Sequence, residues 1–151
     1  MPAPKSILTE KQKPYAPVTN AIAIYEKTLH ICVKMPKRYT YLILQDTIKL
    51  AGEVMDYTKK ANSVFAQNLH EAQIRRDFWI NARASLQALS SRIDRFIDAP
   101  QALRYHDEHS KHTKGVTMNE LKELAELMIK EQSLIKSAID ADKKKSDKFS
   151  N

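Results

Sequence analysis

Charge and rings gather at a few places along this sequence. Lys34, Lys37 and Arg38 surround Pro36, with Tyr39 and Tyr41 beside them; Lys59 and Lys60 stand together further on; Arg75, Arg76 and Arg83 share one periodic segment. Ammonium and guanidinium groups neutralise phosphates, and tyrosine faces stack on bases, so the combination suits nucleic acid or an acidic partner. Such contacts are largely insensitive to base sequence, because phosphates position a strand without identifying it. The competing explanation for each cation is a solvated or salt-bridged helix face. Arg75 has Glu71 one turn back, and Arg92 and Arg95 have Asp94 and Asp98. Trp79, Phe78 and Tyr39 are candidates for stacking, although aromatics at helical spacing more often pack in a core.

His106, His109 and His112 recur every third residue, with Asp107 and Glu108 between the first two. One helical turn would align their imidazoles as metal ligands. They lie in a polar stretch with no evident groups to orient them, so a titrating loop is expected instead of a metal site. The Gly-x-Ser-x-Gly, His-Glu-x-x-His, P-loop and dinucleotide signatures are absent. Cys32 is the only cysteine, which excludes an intrachain disulfide and a multi-cysteine metal site. The expectation is a protein without catalytic residues, metal or cofactor.

The elements that must hold these side chains are helices. Only Gly52 and Gly115 occur in 151 residues, too few for tight hairpins or most β architectures. Residues 1–18 carry Pro2, Pro4, Pro14 and Pro17 among lysines and read as a flexible arm, with Ile7 and Leu8 to dock it. Thr19 or Asn20 would cap a first helix with the stripe Ile22, Tyr25, Leu29 and Cys32, widened by Ile24 and Val33. Pro36 marks a corner, since proline suits a first helical turn and not an interior one.

A second helix is expected from about 36–40 to 62, facing inward by Leu44, Ile48, Ala51 and Met55, flanked by Leu42, Val54 and Thr58. Gly52 at its centre predicts a close backbone contact. A third, over 71–98, carries Phe78, Ala82, Ser85, Leu89, Ile93 and Phe96, with Trp79, Leu86 and Ile97 beside them. Residues 99–116 form a polar connection. Thr117 and Glu120 then make a capping box ahead of the seam Met118, Leu121, Ala125, Met128, Gln132, Ile135 and Ile139, widened by Leu124, Leu127 and Ile129. Residues 141–151 read as a disordered basic tail.

These elements predict an all-α, antiparallel up-and-down four-helix bundle over residues 19–140. Wide apolar stripes on its second and third helices predict self-association. The net charge of +7 is uneven, with basic ends and an acidic stretch over 117–140, which favours encounter with polyanions. No apolar run reaches bilayer length and no secretory leader is evident, so the expected partner set excludes membrane and the expected location is cytoplasmic.

The strings Ile24-Tyr25-Glu26-Lys27-Thr28-Leu29, Met35-Pro36-Lys37-Arg38-Tyr39, Arg75-Arg76-Asp77-Phe78 and Leu86-Gln87-Ala88-Leu89 resemble a small bacterial four-helix-bundle family. That family includes the accessory variability determinant of diversity-generating retroelements and the proteins encoded by intervening sequences of 23S ribosomal RNA genes. The resemblance covers residues 20–140. It implies a basic homopentamer that binds RNA or DNA and a reverse transcriptase, supporting complementary-DNA synthesis without itself polymerising. By position it makes Arg75, Arg76 and Arg83 the leading contacts, followed by Lys34, Lys37, Arg38, Lys59 and Lys60. The alternatives are a self-assembling helical protein-interaction scaffold and a ribosomal intervening-sequence type of protein.

Overall fold

The computed structural model describes residues 15–35, 37, 43–98 and 116–149, the side chains of 96–98 excepted. Four helices, α1 (Ala16–Val33), α2 (Gln45–Ser63), α3 (Leu69–Asp98) and α4 (Met118–Phe149), form an all-α bundle. α1 packs on α2 and α4, and α3 packs on the same two. Side-chain pairs fix the directions. Asn20 meets Glu131, Lys27 meets Glu123 and Lys34 meets Glu120, so α1 and α4 run antiparallel. Ser85 with Glu53 and Arg92 with Asp46 give the same relation for α2 and α3.

Local chemistry explains the helix ends. Pro17 lies in the first turn of α1, where its missing N–H costs nothing. The expected arm therefore gives way to helix by Ala16, and residues 1–14 lie outside the described residues. At the other end of α1, the N–H groups of Lys34 and Met35 return to the carbonyls of Ile31 and Cys32. The capping box of α4 forms as the sequence predicts: the Glu120 N–H donates to Thr117 Oγ1 and the Thr117 N–H to the Glu120 carboxylate, each at 3.3 Å. The Pro36 corner, with Arg38, Tyr39 and Tyr41, falls outside the described residues, as does the histidine stretch at 106–112.

The stripes differ from the expected ones by a fraction of a turn. On α1 the buried line is Ala21, Ile24, Thr28 and Ile31, while Val33 is 76% exposed. On α2 it is Leu44, Thr47, Ala51, Val54, Thr58 and Ala61, with Ile48 and Met55 half-buried beside it. Thr28 and Thr47 can occupy core positions because their hydroxyls donate to the carbonyls of Ile24 and Ile43, one turn back. α3 buries Ala72, Trp79, Ala82, Ser85, Leu86, Leu89 and Ile93. Trp79 is sealed off from solvent, its ring tilted 60° to that of Tyr15 at 6.4 Å, so it packs and is not available for stacking.

Residues 141–149, expected as disordered, are the last turns of α4. The seam does not stop at Ile139: one further step puts Asp142 in the interior, and Ser146 is half-buried beyond it. α3 and α4 have 30 and 32 residues against 18 and 19 for α1 and α2, so they are longer by roughly 18 Å. The Lys34–Glu120 pair holds the end of α1 flush with the start of α4, while the Arg92–Asp46 pair leaves the last turn of α3 beyond the start of α2 at that end. The excess of α4 over α1 therefore projects at the other end, together with the first turns of α3, where α2 finishes.

Gly52 does not meet the close backbone expected of it. A methyl group there would touch only Tyr25 Cε2, at an ordinary 3.7 Å. With space present and no positive φ, Gly52→Ala should stabilise the fold by about 0.5–1 kcal/mol, read as a raised urea midpoint at unchanged slope.

The polar member of the α4 seam is Glu131, not Gln132, which is exposed. Glu131 has no solvent access; its Oε2 accepts a 2.8 Å hydrogen bond from Asn20 Nδ2, which also donates to the Leu127 carbonyl, and its Oε1 has no partner. Burial pushes its carboxyl up to about 7, with the Asn20 hydrogen bond and the Lys130 charge pulling the other way. The folded state thus holds this proton more tightly than the unfolded chain, whose value is near 4.5. Stability from this group is full below about pH 4.5 and falls as pH rises to about 7. Glu131→Gln should match the parent near pH 4 and exceed it by on the order of 3 kcal/mol at pH 8. Urea titrations across that range check this, and a difference that stays constant with pH would contradict it.

Candidate functional site

The sequence-predicted cations do not form one cluster. Lys34 and Lys37 follow α1 at the flush end, whereas Lys59 and Lys60 close α2 at the projecting end, about 28 Å away along the helix axis. Arg75 and Arg76 lie in the second turn of α3, also at the projecting end, and Arg83 is exposed two turns further along. Arg38 is outside the described residues.

Two of the described cations on the α1–α4 contact are paired, while Lys37 is exposed. Lys34 is half-buried and paired with Glu120, and its hydrogen bond holds that carboxyl below the usual range. Lys27 pairs with Glu123 on the same pair of helices. The projecting end is different. Lys59, Lys60, Lys143, Lys144, Lys145 and Lys148 are all exposed there. Glu71 and Asp142, two of the carboxylates at that end, are used within the fold.

Asp142 is only 4% exposed and faces Arg75, whose Nε lies 3.1 Å from its Oδ2. The same guanidinium donates through an Nη atom to the Val64 carbonyl at 3.1 Å. Arg75 thus joins α3, α4 and the α2–α3 connection, and its place in the structure is that of a strut. Arg76 beside it is half-buried, with its Nε enclosed and unpartnered.

The connection, residues 64–68, is tied at both ends. Its first N–H, from Val64, donates to the Ala61 carbonyl. At its far end Asn68 caps α3 by accepting the Glu71 N–H at 2.9 Å, while the Glu71 carboxylate accepts from the Gln67 N–H and the Asn68 side-chain amide. Val64 is extended, and extended backbone sends alternate side chains to opposite sides. Val64 and Ala66 are half-buried, and Phe65 between them is 81% exposed. Leaving that ring in water forgoes burial worth about 1.5–3 kcal/mol.

Sequence reasoning passed over Phe65, Asp142 and the C-terminal lysines as parts of a folded surface. The Asn68-x-x-Glu71 spacing was a usable signal, being the same arrangement as Thr117-x-x-Glu120. Among the described residues, no group of three or more His, Cys, Asp or Glu is placed to hold a metal ion, and no described helix is long and apolar enough to cross a membrane. Burial pushes the Cys32 thiol up to about 11, so little of it is nucleophilic thiolate at neutral pH. No family profile, curated protein or solved structure matches this chain.

Removing Arg75 should therefore harm the fold before it harms any contact. Arg75→Ala leaves the Asp142 carboxylate buried without its counter-charge, at an expected cost of about 2–4 kcal/mol in urea denaturation. Asp142→Leu together with Arg75→Met should cost less than the two single changes combined. Additive costs would show that the two side chains are not coupled.

Proposed function

We propose that this chain is a nonenzymatic, self-assembling protein that binds nucleic acid with the projecting end of its bundle and assists a reverse transcriptase in a diversity-generating retroelement. The observation that carries the binding is the exposure of six lysines, Lys59, Lys60, Lys143, Lys144, Lys145 and Lys148, around one end of the bundle. Contact by phosphate neutralisation releases counterions and serves RNA and DNA alike. Lys59 and Lys60 are first in this role; Arg76 and Arg83 flank them, and Arg75 holds the framework. Resemblance of the Ile24–Leu29, Met35–Tyr39 and third-helix strings to the accessory-determinant family supports the remainder: a pentameric ring would repeat this end around an axis, multiplying a charge that one copy carries weakly. Action in the cytoplasm belongs to the same proposal.

Affinity for a labelled nucleic acid should fall linearly with the logarithm of salt concentration. Changing Lys59 and Lys60 to Ala should reduce the slope by about 1 to 2 without altering the melting temperature. Absence of binding at low salt, or binding indifferent to salt, would overturn the reading. A second reading, a helical scaffold that joins copies or another protein, is favoured by Val33 and Ile129, which are 76% and 66% exposed. A stoichiometric protein partner that copurifies after nuclease treatment would support it. Ribosomal RNA as the captured strand would favour the intervening-sequence type within the same family.

A further inference from the structure

We infer that Phe65 is a stacking platform for an unpaired nucleobase, so that the projecting end takes single-stranded nucleic acid in preference to duplex. The inference rests on the nucleic-acid reading above and specifies how that end grips its ligand. A solvent-exposed phenylalanine in a slack loop would say little, since it would be free to fold back onto the surface. Phe65 is not in such a loop. Val64 is fastened through both its N–H and its carbonyl, and Gln67 and Asn68 are fastened through Glu71. Turning the ring inward would bring Val64 and Ala66 outward and break the Arg75 contact with the Val64 carbonyl. The backbone holds the ring out.

The surroundings select the occupant. Lys59 and Lys60 are exposed in the last turns of α2, within six residues of Phe65, and Lys60 Nζ lies 5.2 Å over the Tyr57 ring, which draws the ammonium alongside the helix end. On the other side of the start of α3 stand the exposed lysines of the last turns of α4, brought level by the Arg75–Asp142 pair. An aromatic face among cations is the arrangement that accepts a base on the ring and its flanking phosphates on the ammonium groups. In duplex nucleic acid the base faces are already stacked on one another. An entirely apolar partner would leave these lysines unmatched.

The test uses the full chain with a labelled oligo-dT strand and a labelled duplex of equal length at one low salt concentration. Because the ring touches little of its own fold, Phe65→Ala should melt at the parent temperature. It should bind the single strand about tenfold more weakly, with an unchanged salt slope, and the duplex as the parent does. Phe65→Trp should restore strand affinity, and its exposed indole should be quenched on saturation, against the constant signal of the enclosed Trp79. Parent binding that Phe65→Ala leaves intact, or an indole whose emission does not change, overturns the stacking assignment and spares the functional reading. A parent that binds neither probe overturns both. Unchanged strand affinity with altered sedimentation in Phe65→Ala would assign the ring to a contact between copies and overturn the inference.

Discussion

The Arg75 guanidinium sets the construction of the projecting end. Three things converge on it: the Asp142 carboxylate from α4, the Val64 carbonyl from the α2–α3 connection, and its own helix. Beyond the reach of α1 and α2, the first turns of α3 and the last turns of α4 have fewer apolar neighbours than the middle of the bundle. The ion pair there joins α3 to α4, and the hydrogen bond from the same guanidinium to the Val64 carbonyl ties the path of the loop to it. The lysines that follow Asp142, and the outward face of Phe65, have defined positions because of this pair.

Buried charge pairs are seldom favourable in net terms, since desolvation offsets most of their attraction. Arg75 and Asp142 escape part of that cost because they lie at an end where the guanidinium keeps some contact with water. Glu131 has no such relief. It faces Asn20 near the start of α1, sealed from solvent, and is easier to keep there protonated than ionised. The two carboxylates lie eleven residues apart on one helix, on the same stripe, one facing an asparagine and the other a guanidinium. Between them they set both the register of α1 on α4 and that of α4 on α3, which apolar side chains alone would leave free to slip.

Helix number, order and approximate bounds were legible because apolar residues recur at helical spacing over long stretches and proline and capping residues punctuate them. The phase of each stripe was less so. On α1, Ile22, Ile24, Leu29 and Ile31 admit more than one inward face, and only packing against α2 and α4 selects Ile24 and Ile31. The polar core members were misplaced for a related reason: hydropathy excludes Thr28, Thr47 and Glu131 from an interior, yet a carbonyl one turn back, or an asparagine on another helix, makes each acceptable. The end of α4 was misjudged because lysine density outweighed periodicity. Counting on from Ile135 and Ile139 would have brought Asp142 inside, and Asp142 has no meaning without Arg75.

The same reasoning separates the two candidate ends. At the flush end, Glu120 completes the cap of α4 and also takes up the charge of Lys34, so one carboxylate serves the helix start and cancels the cation. A phosphate arriving there would have to displace an ion pair already held within the fold. At the projecting end, Glu71 completes the cap of α3 and Asp142 faces inward to the Arg75 charge, so among the described residues neither carboxylate pairs with Lys59, Lys60 or the lysines of α4. Lys59, Lys60 and the lysines that follow Asp142 are exposed at that end, as is the Phe65 ring. That difference in how the described carboxylates are used, more than the total charge, is what the proposed contact surface where α2 and α4 finish rests on.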